Sequence, residues 1–174
     1  MVKLITDRTQ YHVALLNRLR KKTWSSMTAS ERTAWYGDAA KGAYNYTDLN
    51  RVESAVEELS AKLGLGLVTK TDWTLWDVPT ASEMNRYLSN VAAIRDACYG
   101  TVTFPTIPSS MNGLTHDGAN SIEKVLVLAY EVVSALEHKC VLGSFILGEC
   151  TLGVNSTTSD SRIRSGDIYC GEVT

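Results

Sequence analysis

One stretch of the chain, residues 41–63, constrains the fold more than any other. Its apolar residues step by three, four, three and four positions, so they share one side of a helix. They are Leu49, Val52, Val56, Leu59 and Leu63. Thr47 or Asp48 is expected to accept hydrogen bonds from the first-turn amides, and Gly64 to end the helix. The stretch therefore predicts an amphipathic helix that needs an apolar partner.

Capping chemistry and apolar spacing predict four further helices in the first 139 residues. They cover residues 7–22, 28–41, 80–99 and 117–139. Two of them begin with a capping box, in which a threonine and a glutamate three residues later exchange hydrogen bonds. The boxes pair Thr28 with Glu31 and Thr80 with Glu83. Pro105 and Pro108 predict an extended crossing before the last helix. The last helix has the widest apolar face, so we expect it at the centre of the bundle.

The pattern changes after residue 139. Residues 140–174 carry five glycines among apolar residues without a helical period, which favours short strands joined by turns. We therefore predict a helical bundle over residues 1–139 and a β-hairpin-like assembly segment over 140–174. Two or three strands cannot stand alone in water, so the segment is expected to pack on its own bundle or on a neighbouring subunit. Its candidate interface residues are Phe145, Ile146, Leu147, Ile168 and Tyr169.

Two short patterns occur twice in the chain. Trp24 and Trp76 each stand four residues before a Thr-Ala-Ser-Glu sequence, and the two copies are 52 residues apart. The sequence Asn-Arg-Val-Glu at 50–53 is echoed by Asn-Ser-Ile-Glu at 120–123, 70 residues later. A duplicated helical hairpin explains both patterns, and convergent capping chemistry is the alternative for the threonines and glutamates.

Charge and cysteine usage narrow the classes of partner. The formal net charge is −2, so we expect no general attraction to nucleic acid or to an anionic membrane. The basic run at residues 18–22 is interpreted as a solvated helix end, with phosphate contact as the alternative. No apolar run is long enough for a signal peptide or a membrane span. Cysteines occur at 98, 140, 150 and 170, and we expect reduced, packed thiols, with a bridge from Cys150 to Cys170 as the alternative.

The common catalytic and cofactor motifs are missing from the sequence. We find no nucleophile elbow, no phosphate-binding glycine loop and no zinc-protease motif, so we predict no catalytic residue, no metal site and no cofactor. His116 and Asp117 resemble a metal-binding pair, but helix capping by Asp117 explains that residue without a metal. The acidic residues Glu53, Glu57 and Glu58 are expected on a solvated helix face, where they would not act as acid and base.

A tryptophan-rich loop offers a candidate ligand surface. Asp72 and Asp77 lie beside Trp73 and Trp76, and indole rings stack on sugars, so these residues are the better candidates for glycan binding or cleavage. A loop anchored by its tryptophans, with Asp77 near the next helix start, is the simpler interpretation, because tryptophan more often closes a small core.

Several segments together resemble small proteins and fibre segments encoded in the tail or baseplate region of bacteriophages and prophages. The segments are ITDRTQ at 5–10, GAYNYTDLNRVESAV at 42–56, KTDWTLWDVPTASEMNRYLSNV at 70–91, NSIEKVL at 120–126 and RSGDIYCGEV at 164–173. The resemblance covers roughly residues 4–139 and the last ten, and residues 140–163 have no counterpart in it.

The resemblance implies a non-enzymatic virion structural protein, assembled in the host cytoplasm, that associates with itself and docks to other virion proteins. A homo-oligomer is expected, first of all a trimer, and a receptor- or glycan-binding module of the tail tip is the alternative. A mainly α fold with about five helices fits this role. We expect apolar burial between two helices to hold it together, through Leu49, Val52, Val56 and Leu59 on one and Ile122, Val125, Val132 and Leu136 on the other.

Overall fold

The computed structural model of the chain describes residues 1–98, 100 and 102–141, and for residues 138–141 the backbone only. Five α-helices lie in these residues, as predicted, and no strand occurs among them. The helices are α1 (Gln10–Leu19), α2 (Ala29–Tyr36), α3 (Tyr46–Leu63), α4 (Ala81–Ala97) and α5 (His116–Val141). The predicted β element and its interface residues 145–147, 168 and 169 lie outside the described part.

The helix starts show which capping predictions hold. The boxes at Thr28 and Thr80 form as predicted, with each threonine hydroxyl accepting from the glutamate amide and each glutamate accepting from the threonine amide. The cap of α3 is Asn45, and neither Thr47 nor Asp48 holds that position. Asn45 caps the helix because its side chain accepts from the Thr47 N–H, while the Asp48 carboxylate accepts from the Asn45 N–H.

The start of α5 also differs from the sequence prediction. The Thr115 hydroxyl accepts a 3.1 Å hydrogen bond from the Gly118 amide and so caps the helix. Asp117 lies in the first turn, where its carboxylate still complements the positive end of the helix dipole. The predicted capping role of Asp117 is therefore wrong.

Helices α3 and α5 run in the same direction. Three contacts join them, and the residue numbers rise together on both helices. The contacts are Arg51 to Glu123 at 2.8 Å, Tyr130 to Glu58 at 2.7 Å and Lys62 to Glu137 at 2.8 Å. An antiparallel pair would show one series rising and the other falling.

An extended segment, residues 65–79, returns the chain from the end of α3 to the start of α4. Its Leu67 amide donates to Ser60, and further along its Trp73 amide donates to Asn50, so it runs antiparallel to α3. The Val68 carbonyl of the segment accepts a hydrogen bond from Asn90 of α4, and two residues later Lys70 of the segment pairs with Glu83, nearer the start of α4. Helix α4 is therefore parallel to α3 as well.

The parallel arrangement corrects one expectation from the sequence. Helices α4 and α5 both run parallel to α3, so they do not form the antiparallel helical hairpin that a duplicated hairpin requires. Residues 102–115 lead to the start of α5, and Pro105 and Pro108 there fit the predicted extended crossing.

The core lies between α3, α4 and α5, and a small second cluster joins α1 to α2. The main core contains most of the predicted apolar residues. Its fully buried members include Val52, Val56, Leu59, Val91, Ile94, Ile122, Val125 and Leu126. Gly42 lies against the α1 backbone, and a Cβ there would overlap the His12 carbonyl group. The α1 and α2 layer therefore packs closely on the turn before α3.

Candidate functional site

A group of four charged side chains, three of them buried and Arg51 partly exposed, lies where the N-terminal segment meets α3 and α5. Arg8 donates at 2.8 Å to Asp48 and at 2.8 Å to Glu123 through the same nitrogen. Arg51 contacts both oxygens of Glu123, at 2.8 and 3.0 Å, and also contacts Asp48. Two positive and two negative charges thus compensate one another in a place with almost no access to water.

Two residues of α5 also hold the backbone of residues 5–8, an arrangement that we call clamp A. The Asn120 amide accepts from the Arg8 N–H at 3.0 Å and donates to the Arg8 carbonyl at 2.7 Å. Glu123 accepts from the Ile5 N–H at 2.5 Å. Side chains of a helix therefore form hydrogen bonds with the N–H and C=O groups of an extended segment, as the backbone of a neighbouring strand would.

Two residues of α3 hold residues 70–73 in the same way, and we call this arrangement clamp B. The Asn50 amide accepts from the Trp73 N–H at 2.7 Å and donates to the Trp73 carbonyl at 2.8 Å. The Lys70 backbone lies close enough to the Glu53 carboxylate to lower its pKa. It also pairs with Arg86 of α4, at 2.7 and 3.2 Å.

The two clamps share their residue types and their spacing. Each uses an asparagine and a glutamate three residues later on one helix, and in each the asparagine makes two hydrogen bonds to the backbone of one residue. The gripped segments, Ile5-Thr6-Asp7-Arg8 and Lys70-Thr71-Asp72-Trp73, share a central Thr-Asp pair. The repeated Asn-x-x-Glu sequence thus corresponds to a repeated contact, although the helices that bear it do not form hairpins.

The burial of Glu53 corrects a sequence prediction. Glu53 was expected on a solvated face, but its side chain is only 1% exposed. Burial raises the pKa of this carboxyl above its ordinary value, and the Arg86 guanidinium opposes that shift. The match between positions 50–53 and 120–123 is the sequence feature that indicates this burial. An acidic residue that recurs at the same place in an apolar pattern is a candidate for a buried ion pair.

The two tryptophans of the predicted ligand surface have opposite environments. Trp73 is buried, and the Lys70 ammonium lies 3.8 Å from its ring centroid, so its indole belongs to the core. Trp76 is 88% exposed. It lies in residues 74–78, which we call the exposed turn, where Asp77 accepts from the Thr74 amide and hydroxyl at 2.7 and 3.0 Å.

A cavity of about 670 Å³ borders the exposed turn. None of its lining residues is charged, and we call it the neutral cavity. Its apolar wall includes Leu49, Met84, Met111 and Leu114, and its polar rim includes Asn85, Ser110 and Asn112. Pro79 and Thr80 also line it, directly after the exposed turn in the chain. Such a mixture of apolar wall and neutral polar rim is typical of a binding surface.

The other predicted residues take the following places. Leu49, Val52, Val56, Leu59, Ile122, Val125 and Val132 are buried, whereas Leu136 is 47% exposed. His116 Nδ1 lies 3.0 Å from Asp117, and no metal-binding group of three or more His, Cys, Asp or Glu occurs among the described residues. Among the helices of the described part, none combines the length and the apolar character needed to cross a membrane.

No family model, curated protein or solved structure matches this chain.

Proposed function

We propose that this protein is a non-enzymatic structural component of a bacteriophage or prophage tail, baseplate or fibre. It acts by self-association, in a homo-oligomer that we expect to be a trimer, and by docking to other virion proteins. The proposal assigns no catalytic residue and no cofactor to the chain.

The pair of clamps is the observation that carries this proposal. Asparagine and glutamate side chains fix two extended segments to the helices at several backbone atoms each. A chain held in this way presents its surface turns in a fixed geometry, which suits a part that must fit its neighbours in a particle. The segments that resemble tail proteins include all four clamp residues: Asn50, Glu53, Asn120 and Glu123.

The direct test is to look for the protein in particles. Particles released from the source cells after prophage induction are purified and examined by mass spectrometry and by immunogold electron microscopy. We expect the chain in stoichiometric amounts, with label at one end of the particle. Its absence from particles that contain the other tail proteins would contradict the proposal.

Receptor or glycan binding at the tail tip is a second candidate, and the exposure of Trp76 favours it. An exposed indole on a turn fixed by internal hydrogen bonds provides a flat apolar face for a sugar ring. Binding on a glycan array that disappears in Trp76→Ala and persists in Tyr36→Ala, which removes another exposed aromatic ring, would support it. Turnover of purified peptidoglycan by the protein would instead indicate an enzyme.

A further inference from the structure

The exposed turn presents three large apolar side chains within four residues. Leu75, Trp76 and Val78 are 70%, 88% and 88% exposed. The bonds from Thr74 to Asp77 fix the backbone of the turn, so only its exposed side chains need to be ordered when a partner binds. An apolar group of this kind on a soluble protein indicates a contact surface.

The neutral cavity is chemically suited to receive that turn. Its wall contains two methionines, which adapt to the shape of an inserted side chain. On its rim, the side-chain amides of Asn85 and Asn112 are exposed, and an amide oxygen there is a suitable acceptor for an indole N–H. Its volume is in the range of pockets that enclose small ligands, so an indole ring has room in it.

We infer that two copies of this chain associate through reciprocal insertion of the exposed turn of each copy into the neutral cavity of the other. This inference rests on the self-association in the proposed function and names a surface for it. Because the reciprocal contact is twofold, it joins copies in pairs and does not itself close the proposed trimer. It concerns residues 74–85 and 110–114, whereas the contact predicted from the sequence concerns residues 140–174.

Three observations favour a second copy as the occupant. Trp76 is almost fully exposed, so its own cavity does not enclose it. The turn ends at Val78, and the next residue in the chain, Pro79, lines the cavity. A twofold axis beside these residues would let each copy insert its turn into the cavity of the other. The cavity lining has no charge, and the one charge of the turn, on Asp77, already accepts hydrogen bonds from Thr74.

The expected affinity follows from the area of the surface. Burial of one tryptophan removes roughly 150–250 Å² from water, while a stable dimer buries about 800 Å² on each partner. The turn and the cavity wall together make a contact at the small end of this range. We therefore expect a dissociation constant of about 1–100 μM that changes little with salt, because no ion pair is involved.

The experiment measures the mass of the full chain by sedimentation velocity from about 5 to 500 μM, a range that brackets the expected affinity. Trp76→Ala removes the inserted ring, and Asn85→Arg places a charge and a long side chain on the cavity rim at an exposed helix position. Each variant should weaken association at least about 100-fold, because it removes both symmetric contacts. Tyr36→Ala and Ser89→Arg are the matched controls, since both positions are exposed and lie outside the turn and the cavity.

Mixing the two variants makes the test specific. A mixed pair of Trp76→Ala and Asn85→Arg retains one intact turn facing one intact cavity. The mixture should therefore associate at least about 10-fold more tightly than either variant alone, as expected when one of two equal hot-spot contacts is restored. Loss of folding in either variant would not be repaired by mixing, so this result separates the interface from a stability effect.

The remaining outcomes overturn the inference in distinguishable ways. If the wild-type protein associates and both variants associate equally well, the contact lies elsewhere and the proposed self-association stands. If the wild-type protein is a monomer at every concentration, self-association itself fails. If Trp76→Ala abolishes glycan binding without changing the mass, the surface takes a sugar and not a second copy.

Discussion

Clamps A and B use the same two residue types at the same spacing, but their charges are arranged differently. In clamp A, Glu123 is fully buried and faces Arg8 and Arg51, which also share Asp48. In clamp B, Glu53 faces one cation, Arg86, whose side chain is 27% exposed. The same sequence pattern thus gives a closed ionic group in one place and a single, partly open pair in the other.

The difference shows that backbone recognition and charge compensation are separate tasks in these clamps. The asparagine binds the extended segment in the same way in both clamps, with one donor and one acceptor, and Glu123 adds a bond from the Ile5 amide in clamp A. The surroundings of the glutamate decide how strongly the fold depends on it. A buried cation without its partner is costly, whereas a partly exposed cation can turn towards water. We therefore expect equal effects at the asparagines and unequal effects at the glutamates.

Val125→Asp should have the largest effect, because it disrupts the core that positions both clamps. Val125 is completely buried in the main core, and an unpaired carboxylate there is expected to cost about 5 kcal/mol or more. Such a loss is comparable to the whole stability of a typical domain, so the helical circular dichroism signal should be lost at room temperature. An unchanged melting temperature would contradict the assignment of the core.

Glu123→Gln and Glu53→Gln test the difference between the clamps directly. Loss of the Glu123 charge leaves the buried Arg8 and the partly exposed Arg51 with only Asp48 between them, and we expect a cost of about 3–5 kcal/mol. Loss of the Glu53 charge should cost less, about 1–2 kcal/mol, because Arg86 retains the Val68 carbonyl and access to water. Urea unfolding of both variants measures the two values.

The comparison of the clamps depends on which variant, Glu123→Gln or Glu53→Gln, loses more stability. A Glu53→Gln variant that is less stable than Glu123→Gln would mean that the partly open pair carries more of the fold than the closed group. Glu57→Gln is the control, since it removes a carboxylate from an exposed position of the same helix and should change stability by less than about 0.5 kcal/mol.

Much of the helical layout could be predicted from sequence, because it depends on local patterns. The threonine and glutamate of each capping box act within one helix turn, so Thr28 and Thr80 mark their helix starts correctly. Apolar spacing placed Val52, Val56 and Val125 on buried faces for the same reason. The sequence predicts Thr47 or Asp48 as the cap of α3 and misses Asn45, because Asp48 acts as the acceptor of the Asn45 amide within the same capping box.

The parallel helices and the clamps could not be predicted, since they depend on contacts between residues distant in sequence. Glu123 meets the Ile5 amide across 118 positions, and nothing near either residue indicates this contact. The sequence predicts a solvated position for Glu53 because its side chain is charged. In the structure this side chain is buried, and Arg86 of α4 compensates its charge. The exposure of Trp76 and the burial of Trp73 likewise depend on where Asn50 fixes the segment.

Asn120→Ala and Asn50→Ala should have similar, intermediate effects. Each removes two hydrogen bonds to a backbone that has no other partner at those atoms among the described residues. We expect a loss of about 2–3 kcal/mol in each case. Amide hydrogen exchange should accelerate locally, at Arg8 in one variant and at Trp73 in the other. A much larger loss at one site would mean that backbone recognition also differs between the clamps.

The titration of Glu53 is the smallest effect and examines clamp B alone. Because burial raises its pKa, the folded protein binds this proton more tightly than the unfolded chain does. Lowering the pH from neutral towards the ordinary value of 4.5 should therefore stabilise the wild-type protein relative to Glu53→Gln. Carbon-detected NMR of the carboxyl group should give a midpoint above 4.5, and Arg86→Gln should move it higher, since Arg86 lowers this pKa. A midpoint below 4.5 would mean that the Arg86 charge outweighs burial, and clamp B would then be as fully compensated as clamp A.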